Sequence, residues 1–204
     1  IWDDYPAPMY NKPYYEACDL LMGISKQTVN INKLVLKGSE GNKVFRYVPH
    51  GKNRNSYFPI DENDLDYINF KSQIFNKKEP KFVLFFNSRN IRRKQIPDTL
   101  MAFRAYLFDE SYKDNVIFID QRLSEQQLNW LYNIADVHTL LTSNEGWGLA
   151  NTEAILSGTP IIANVTGGMQ DQMRFVDNED KWFEPSAEVP SNHRGTYKKH
   201  GEWA

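Results

Sequence analysis

"VHTLLTSNEGWGLANTEAILSGTPIIANVTGG", residues 137–168, is the stretch whose reading decides the fold. It opens on an apolar run, "VHTLLTS" (137–143), and passes through a loop rich in glycine and carboxylate. The helical segment "LANTEAILSG" follows and stops at Gly158. A second apolar run, "TPIIANV" (159–165), then ends at two glycines. The apolar runs are continuous rather than alternating, as in strands of a parallel sheet covered on both faces. Glu145 and Glu153 stand on either side of Gly-Trp-Gly, where the backbone is free to come close to a ligand.

The same alternation extends outward. "KFVLFFNS" (81–88) reads as a strand, "IPDTLMAFRAYLFD" as a helix with Asp98 near its first turn, and "NVIFID" (115–120) as another strand. "SEQQLNWLYNIAD" has Ser124 as N-cap and apolar residues at 128, 131, 132 and 135. Upstream, "DLLMGIS" (19–25) reads as a buried strand, "KQTVNINKLVLKG" as a helix stopping at Gly38, and "KVFRYVPHG" (43–51) as a short strand. Residues 53–79 are polar, aromatic and turn-rich, with one amphipathic helix near 62–76. The expected class is α/β: a Rossmann-like parallel sheet with helices on both faces over 80–204. Residues 1–52 read as the end of a second Rossmann-like domain and 53–79 as a linker and helix. The opening on Ile1 and the absence of a closing helix pattern before Ala204 read as a piece of a longer protein, truncated at its C-terminus.

Bulk properties exclude several classes. Of 204 residues, 41% are hydrophobic and 14% aromatic, enough for a core and too many for disorder. The net charge of −2 carries no basic field of the kind nucleic acid requires. The lone Cys18 forms no intrachain disulfide, in keeping with a reducing cytosol. There is no run of eighteen apolar residues and no signal peptide, so the expected location is cytoplasmic, with peripheral membrane contact left open.

Three loops carry the chemistry, each following an expected strand where open parallel sheets bind ligands. "NSRNIRRKQ" (87–95) holds four cations that can clamp a diphosphate; taken alone it reads equally well as a solvated basic turn. In "SNEGWGLANTE", Gly146 and Gly148 allow close approach and Leu149 begins a helix whose free N–H groups favour an anion. Glu145 and Glu153 there are suited to sugar hydroxyls, since an ionised carboxylate only accepts. The plainer reading is a sharp turn followed by helix-start acids. "NVTGGMQDQ" is the third loop.

"EGWGLANTEAILSGTPIIANVTGG" resembles the signature of retaining nucleotide-sugar glycosyltransferases of the GT-B fold (group 1, family 4-like): a glutamate, seven residues, a glutamate, then Gly-x-Pro, a strand and Gly-Gly. "SRNIRRK" is similar to that family's Gly-Arg-four-residues-Lys segment, with Arg89 and Lys94 at the matching spacing. "FIDQRLSEQQLNWLYNIADV" resembles the region that meets the nucleobase. The resemblance implies a donor-binding domain preceded by the end of an acceptor-side domain. It implies an enzyme of glycan biosynthesis that transfers a hexose-like sugar from a UDP-, GDP- or ADP-linked donor to a glycan, lipid or small molecule, with retention.

The resemblance also assigns residues. Arg89 and Lys94 would hold the diphosphate and neutralise the leaving group, Glu145 would meet sugar hydroxyls and Glu153 the ribose. Ser88, Gln121, Gly146, Trp147, Gly148 and Leu149 would complete the donor site. Ser88 and Gln95 stand where the family carries glycines, and Asp171 near where a glutamate often follows the glycine pair. No Asp-x-Asp motif is present and no cofactor or metal is expected, Arg89, Lys94 and the helix N-terminus taking the metal's place. His138 reads as a core histidine, and His50, His193 and His200 have no identifiable partners. The alternatives are a non-catalytic nucleotide-binding fragment inert without its partner domain, and a GT-B sugar-nucleotide epimerase or glycan phosphorylase. An NAD dehydrogenase would need Gly-x-Gly-x-x-Gly after its first strand, which is absent.

Overall fold

The computed structural model describes residues 11–107 and 115–173, and they form two compact units. Among the described residues, the first unit comprises 11–51, 142–149 and 164–173; the second comprises 52–107, 115–141 and 150–163.

The first unit begins with α1 (Lys12–Glu16) and a parallel β–α–β segment: β1 (Leu20–Gly23), α2 (Lys26–Val35) and β2 (Val44–Tyr47), with Leu20 opposite Val44 and Gly23 opposite Tyr47. Ser25 caps α2 by accepting the Thr28 N–H at 3.1 Å, an interaction worth about 1 kcal/mol. Gly38, at φ +84°, takes the chain out of the helix in the left-handed conformation that glycine adopts freely. β1 is buried on one face only. Leu21 is covered, but Leu20 and Met22 are 49% and 63% exposed, because no described element lies over them. The expectation of a strand buried on both faces is corrected there. The unit ends in α7 (Met169–Met173), whose Asp171 accepts the backbone N–H of Lys26 at 2.8 Å, a carboxylate on the first turn of α2.

The second unit holds a three-stranded parallel sheet in the order β3-β4-β5: Leu84–Phe85, Val137–Leu140 and Ile161–Ala163. β4 is the central strand and all four of its residues are buried, His138 and Thr139 with the two apolar ones, as a strand covered on both faces requires. Around the sheet come α3 (Leu65–Ile74), α4 (Ile96–Leu107), α5 (Glu125–Ile134) and α6 (Leu149–Ser157), of which only Leu149 falls outside this unit. Ser124 and Gln127 close a capping box on α5, which satisfies two otherwise orphaned N–H groups at once. Tyr67 and Phe70 of α3 pack on Leu131 and Ile134 of α5. The segment before α3 is pinned to α5 by two asparagines, Asn129 accepting from the Phe58 N–H at 3.2 Å and Asn133 from the Ile60 N–H at 2.8 Å.

Two strand expectations change. The strand at 81–88 contracts to Leu84–Phe85, and 115–120 forms no strand. Ile117 and Phe118 are 52% and 75% exposed, so that run lacks the burial a parallel strand needs. His193 and His200 lie outside the described residues.

Candidate functional site

The three loops singled out in the sequence follow the C-terminal ends of β3, β4 and β5, adjacent parallel strands, which is where such sheets present ligand sites. The first loop belongs to the second unit, and most of the other two belong to the first.

In the first unit, the Glu145 loop and the paired glycines are built against one another. The Gly168 N–H donates to the Glu145 carbonyl at 3.0 Å. A Cβ on Gly167 would overlap the Glu145 carbonyl oxygen and one on Gly168 the Gly146 carbonyl oxygen, so only glycine fits at either position. Gly167 also sits at φ +55° and Gly148 at φ +87°. A Cβ on Gly148 would come 2.9 Å from Met169 Cγ. The Thr142 hydroxyl donates to the Asn144 carbonyl at 2.8 Å, and Asn164 Nδ2 to the Thr142 carbonyl at 2.9 Å. Gln172 Nε2 donates to the Trp147 carbonyl. Glu145 is 5% exposed in this frame, Gly146 and Trp147 are half-buried, and Leu149 stands 40% exposed at the first position of α6.

In the second unit, Glu153 is likewise 5% exposed, one turn into α6, and its carboxylate is held by side chains. Tyr132 Oη donates to Oε2 at 2.8 Å and Asn87 Nδ2 reaches the same oxygen at 3.4 Å. Asn87 also donates to Tyr132 Oη at 3.0 Å. Lys52 Nζ pairs with Oε1 at 2.7 Å and lies 5.0 Å from the Tyr57 ring centre. Burial, with the Glu153 charge added, pushes the Tyr132 phenol well above its ordinary range, and the same two causes raise Tyr57. Both phenols therefore stay neutral, and Tyr132 remains a donor. Lys52, Asn87 and Tyr132 carry no motif. Asn87 opens the basic loop and Tyr132 lies on the apolar stripe of α5, and nothing local says that they meet.

Beyond Asn87, the basic loop leaves Arg89 exposed and Lys94 half-buried, the latter closing a 3-10 turn, Arg92–Lys94. Gln95 then adopts φ +52°, the left-handed conformation that glycine takes most freely. Ser88 Oγ is buried with no hydrogen-bond partner among the described residues. Gln121 is exposed before α5. His138 is fully buried between Phe85 and Tyr132, ring centres 5.9 and 5.4 Å away. Burial, with the Lys94 charge adding to it against the pull of the Phe85 backbone, lowers its pKa to about 4, so it is a neutral core residue at pH 7. Among the described residues no three His, Cys, Asp or Glu side chains cluster to hold a metal, and no helix is long and apolar enough to cross a membrane.

Parallel strands joined by helical crossovers make this an α/β protein, and its fold matches that of GT-B structures. Residues 106–189 match the family described as "Glycosyl transferases group 1". Solved structures agree in fold. Sucrose-phosphate synthase from Thermosynechococcus elongatus superposes with a TM-score of 0.60 at 22% identity over 80% of this chain and 45% of its own. Anabaena HepE in complex with UDP and glucose gives 0.64 at 16% identity, over 86% and 55%. HepE in complex with UDP-glucose gives 0.61 at 17%, over 91% and 57%. The chain thus spans about half the length of these neighbours. No curated protein matches it by sequence.

Proposed function

We propose that this chain binds a nucleoside-diphosphate sugar and serves its transfer to a glycan, lipid or small-molecule acceptor, with retention and without a metal. The observation that carries the reading is Glu153: a nearly buried carboxylate on the first turns of α6, fixed by Tyr132 and Asn87 and suited to accepting sugar hydroxyls. The HepE complexes with UDP and UDP-glucose support the same ligand class.

Transfer places growing negative charge on the departing diphosphate. Fixed cations and helix amides can stabilise that charge more in the transition state than in the ground state. Arg89, exposed, and Lys94, half-buried, are the cations for this task. Glu145 takes hydroxyls of the transferred sugar and Glu153 those of the ribose, while the backbone from Trp147 to Leu149 receives the pyrophosphate. Retention follows by front-face attack, in which the leaving phosphate oxygen takes the acceptor's proton.

Titration calorimetry with UDP, GDP and ADP in EDTA tests the reading. Saturable heat with at least one of them is expected. No heat with any at millimolar concentration, from protein shown to be folded, would sink it. Transfer to any acceptor separates an enzyme from a nucleotide-binding module.

A further inference from the structure

Glu153 has more partners than a helix-start acid needs, and they leave little of it unused. An ionised carboxylate offers about four lone-pair positions. Tyr132 and Asn87 occupy those of Oε2, at 2.8 and 3.4 Å. Lys52 takes one on Oε1, at 2.7 Å, and the Tyr57 hydroxyl also bears on the carboxylate, so at most a single position on Oε1 remains. A ribose presents two adjacent hydroxyls, and Glu153 alone can receive only one of them while its partners stay in place.

Lys52 is the partner able to serve the second. It lies on the stretch between β2 and α3, outside any helix or strand, and its side chain is 22% exposed against 7% for Glu153. Its ammonium lies over the Tyr57 ring and carries three donors and no acceptor. Nζ and Oε1 therefore form a donor beside an acceptor, separated by about the spacing of two oxygens on neighbouring carbons. One hydroxyl of a vicinal diol can donate to Oε1 while the oxygen of the other accepts from Nζ. Keeping Lys52 in place also spares the nearly buried carboxylate the loss of its counter-charge, an expensive event in a desolvated site.

We propose that Lys52 is a ligand-binding residue, and that the Lys52–Glu153 pair is a diol-reading element in which Glu153 accepts one ribose hydroxyl and Lys52 donates to its neighbour. This rests on the proposed role of Glu153 as the ribose acceptor and adds to it a second residue with a separate task.

The test titrates UDP, 2′-deoxy-UDP and 3′-deoxy-UDP into the whole chain and its variants. The unaltered protein loses at least fivefold in affinity for each deoxy analogue. Lys52→Met becomes insensitive, within twofold, to the loss of one hydroxyl and keeps its sensitivity to the other; Glu153→Gln shows the reverse pattern. Lys52→Arg restores sensitivity to both. The double variant Lys52→Met/Glu153→Gln, which leaves no unpaired buried charge, is insensitive to both and covers the case in which Lys52→Met alone fails to fold. Full sensitivity to both hydroxyls in Lys52→Met, or to either in the double variant, overturns the proposal while leaving Glu153 as the acceptor. Full sensitivity to both in Glu153→Gln overturns the ribose reading itself, as does indifference of the unaltered protein to either hydroxyl.

Discussion

The two glutamates of the signature are equally buried and differently held. Glu145 stands in a frame of main chain, its carbonyl tied to the Gly168 N–H and its loop packed on glycines that have no room for a Cβ. Glu153 stands in a frame of side chains: Tyr132, Asn87 and Lys52. A backbone frame fixes where a residue stands and cannot be retuned one atom at a time. A side-chain frame fixes what a carboxylate has left to offer, and each donor can be varied singly. Loss of a glycine should therefore damage the first unit's structure, whereas loss of a Glu153 partner should change ligand preference.

The largest effect expected from this contrast is on the backbone frame. Gly167→Ala combines overlap with a carbonyl and a left-handed φ, and should destabilise by about 2–5 kcal/mol. Denaturant unfolding measures it, and a variant as stable as the parent would mean that the loop is not locked by its backbone. The second unit should instead show its character in acid. His138 has a folded pKa of about 4 against an ordinary 6.5, so the unfolded chain binds more protons in between. Its stability contribution is whole above pH 6.5 and is lost as the pH falls toward 4, about 3 kcal/mol in all. His138→Phe should flatten that part of the stability–pH curve, and an unchanged slope would contradict it.

Smaller effects sharpen the picture of the basic loop. Arg89→Ala and Lys94→Ala should each weaken UDP by about 1.5–3 kcal/mol, the range for charge-assisted hydrogen bonds, and Arg92→Ala by less. Equal losses at all three would make the loop a diffuse basic patch. Gln95→Gly should stabilise by about 1 kcal/mol, by relieving the left-handed strain at φ +52°. A destabilised Gln95→Gly would mean that the side chain's contacts outweigh the strain.

Much of the fold was legible because its signals are local. The largely apolar run around β4, the cap at Ser124, and the glycine stops at Gly38 and Gly158 each report a helix or strand within a few residues. The failures lie where burial depends on what else covers a segment. Residues 115–120 are apolar enough for a strand yet leave Phe118 exposed, and β1 is covered on one side only. The site divides in the same way. The spacing of Glu145, Glu153, Arg89 and Lys94 could be read in one dimension. The donors around Glu153 come from positions 52, 87 and 132, brought together only by folding, and Lys52 left no trace in the sequence pattern.

The central claim is that the two glutamates do different work, and comparing UDP with UDP-glucose on Glu145→Gln and Glu153→Gln tests it most directly. Titration calorimetry in EDTA should show Glu145→Gln binding UDP as the parent does while losing the extra affinity that the glucose confers. Glu153→Gln should weaken UDP and UDP-glucose alike, by about 1–3 kcal/mol, as expected when a buried hydroxyl loses its charged acceptor. Parent-like affinity for both ligands in both variants, with slightly lower melting temperatures, would mean that these are helix-start acids and nothing more.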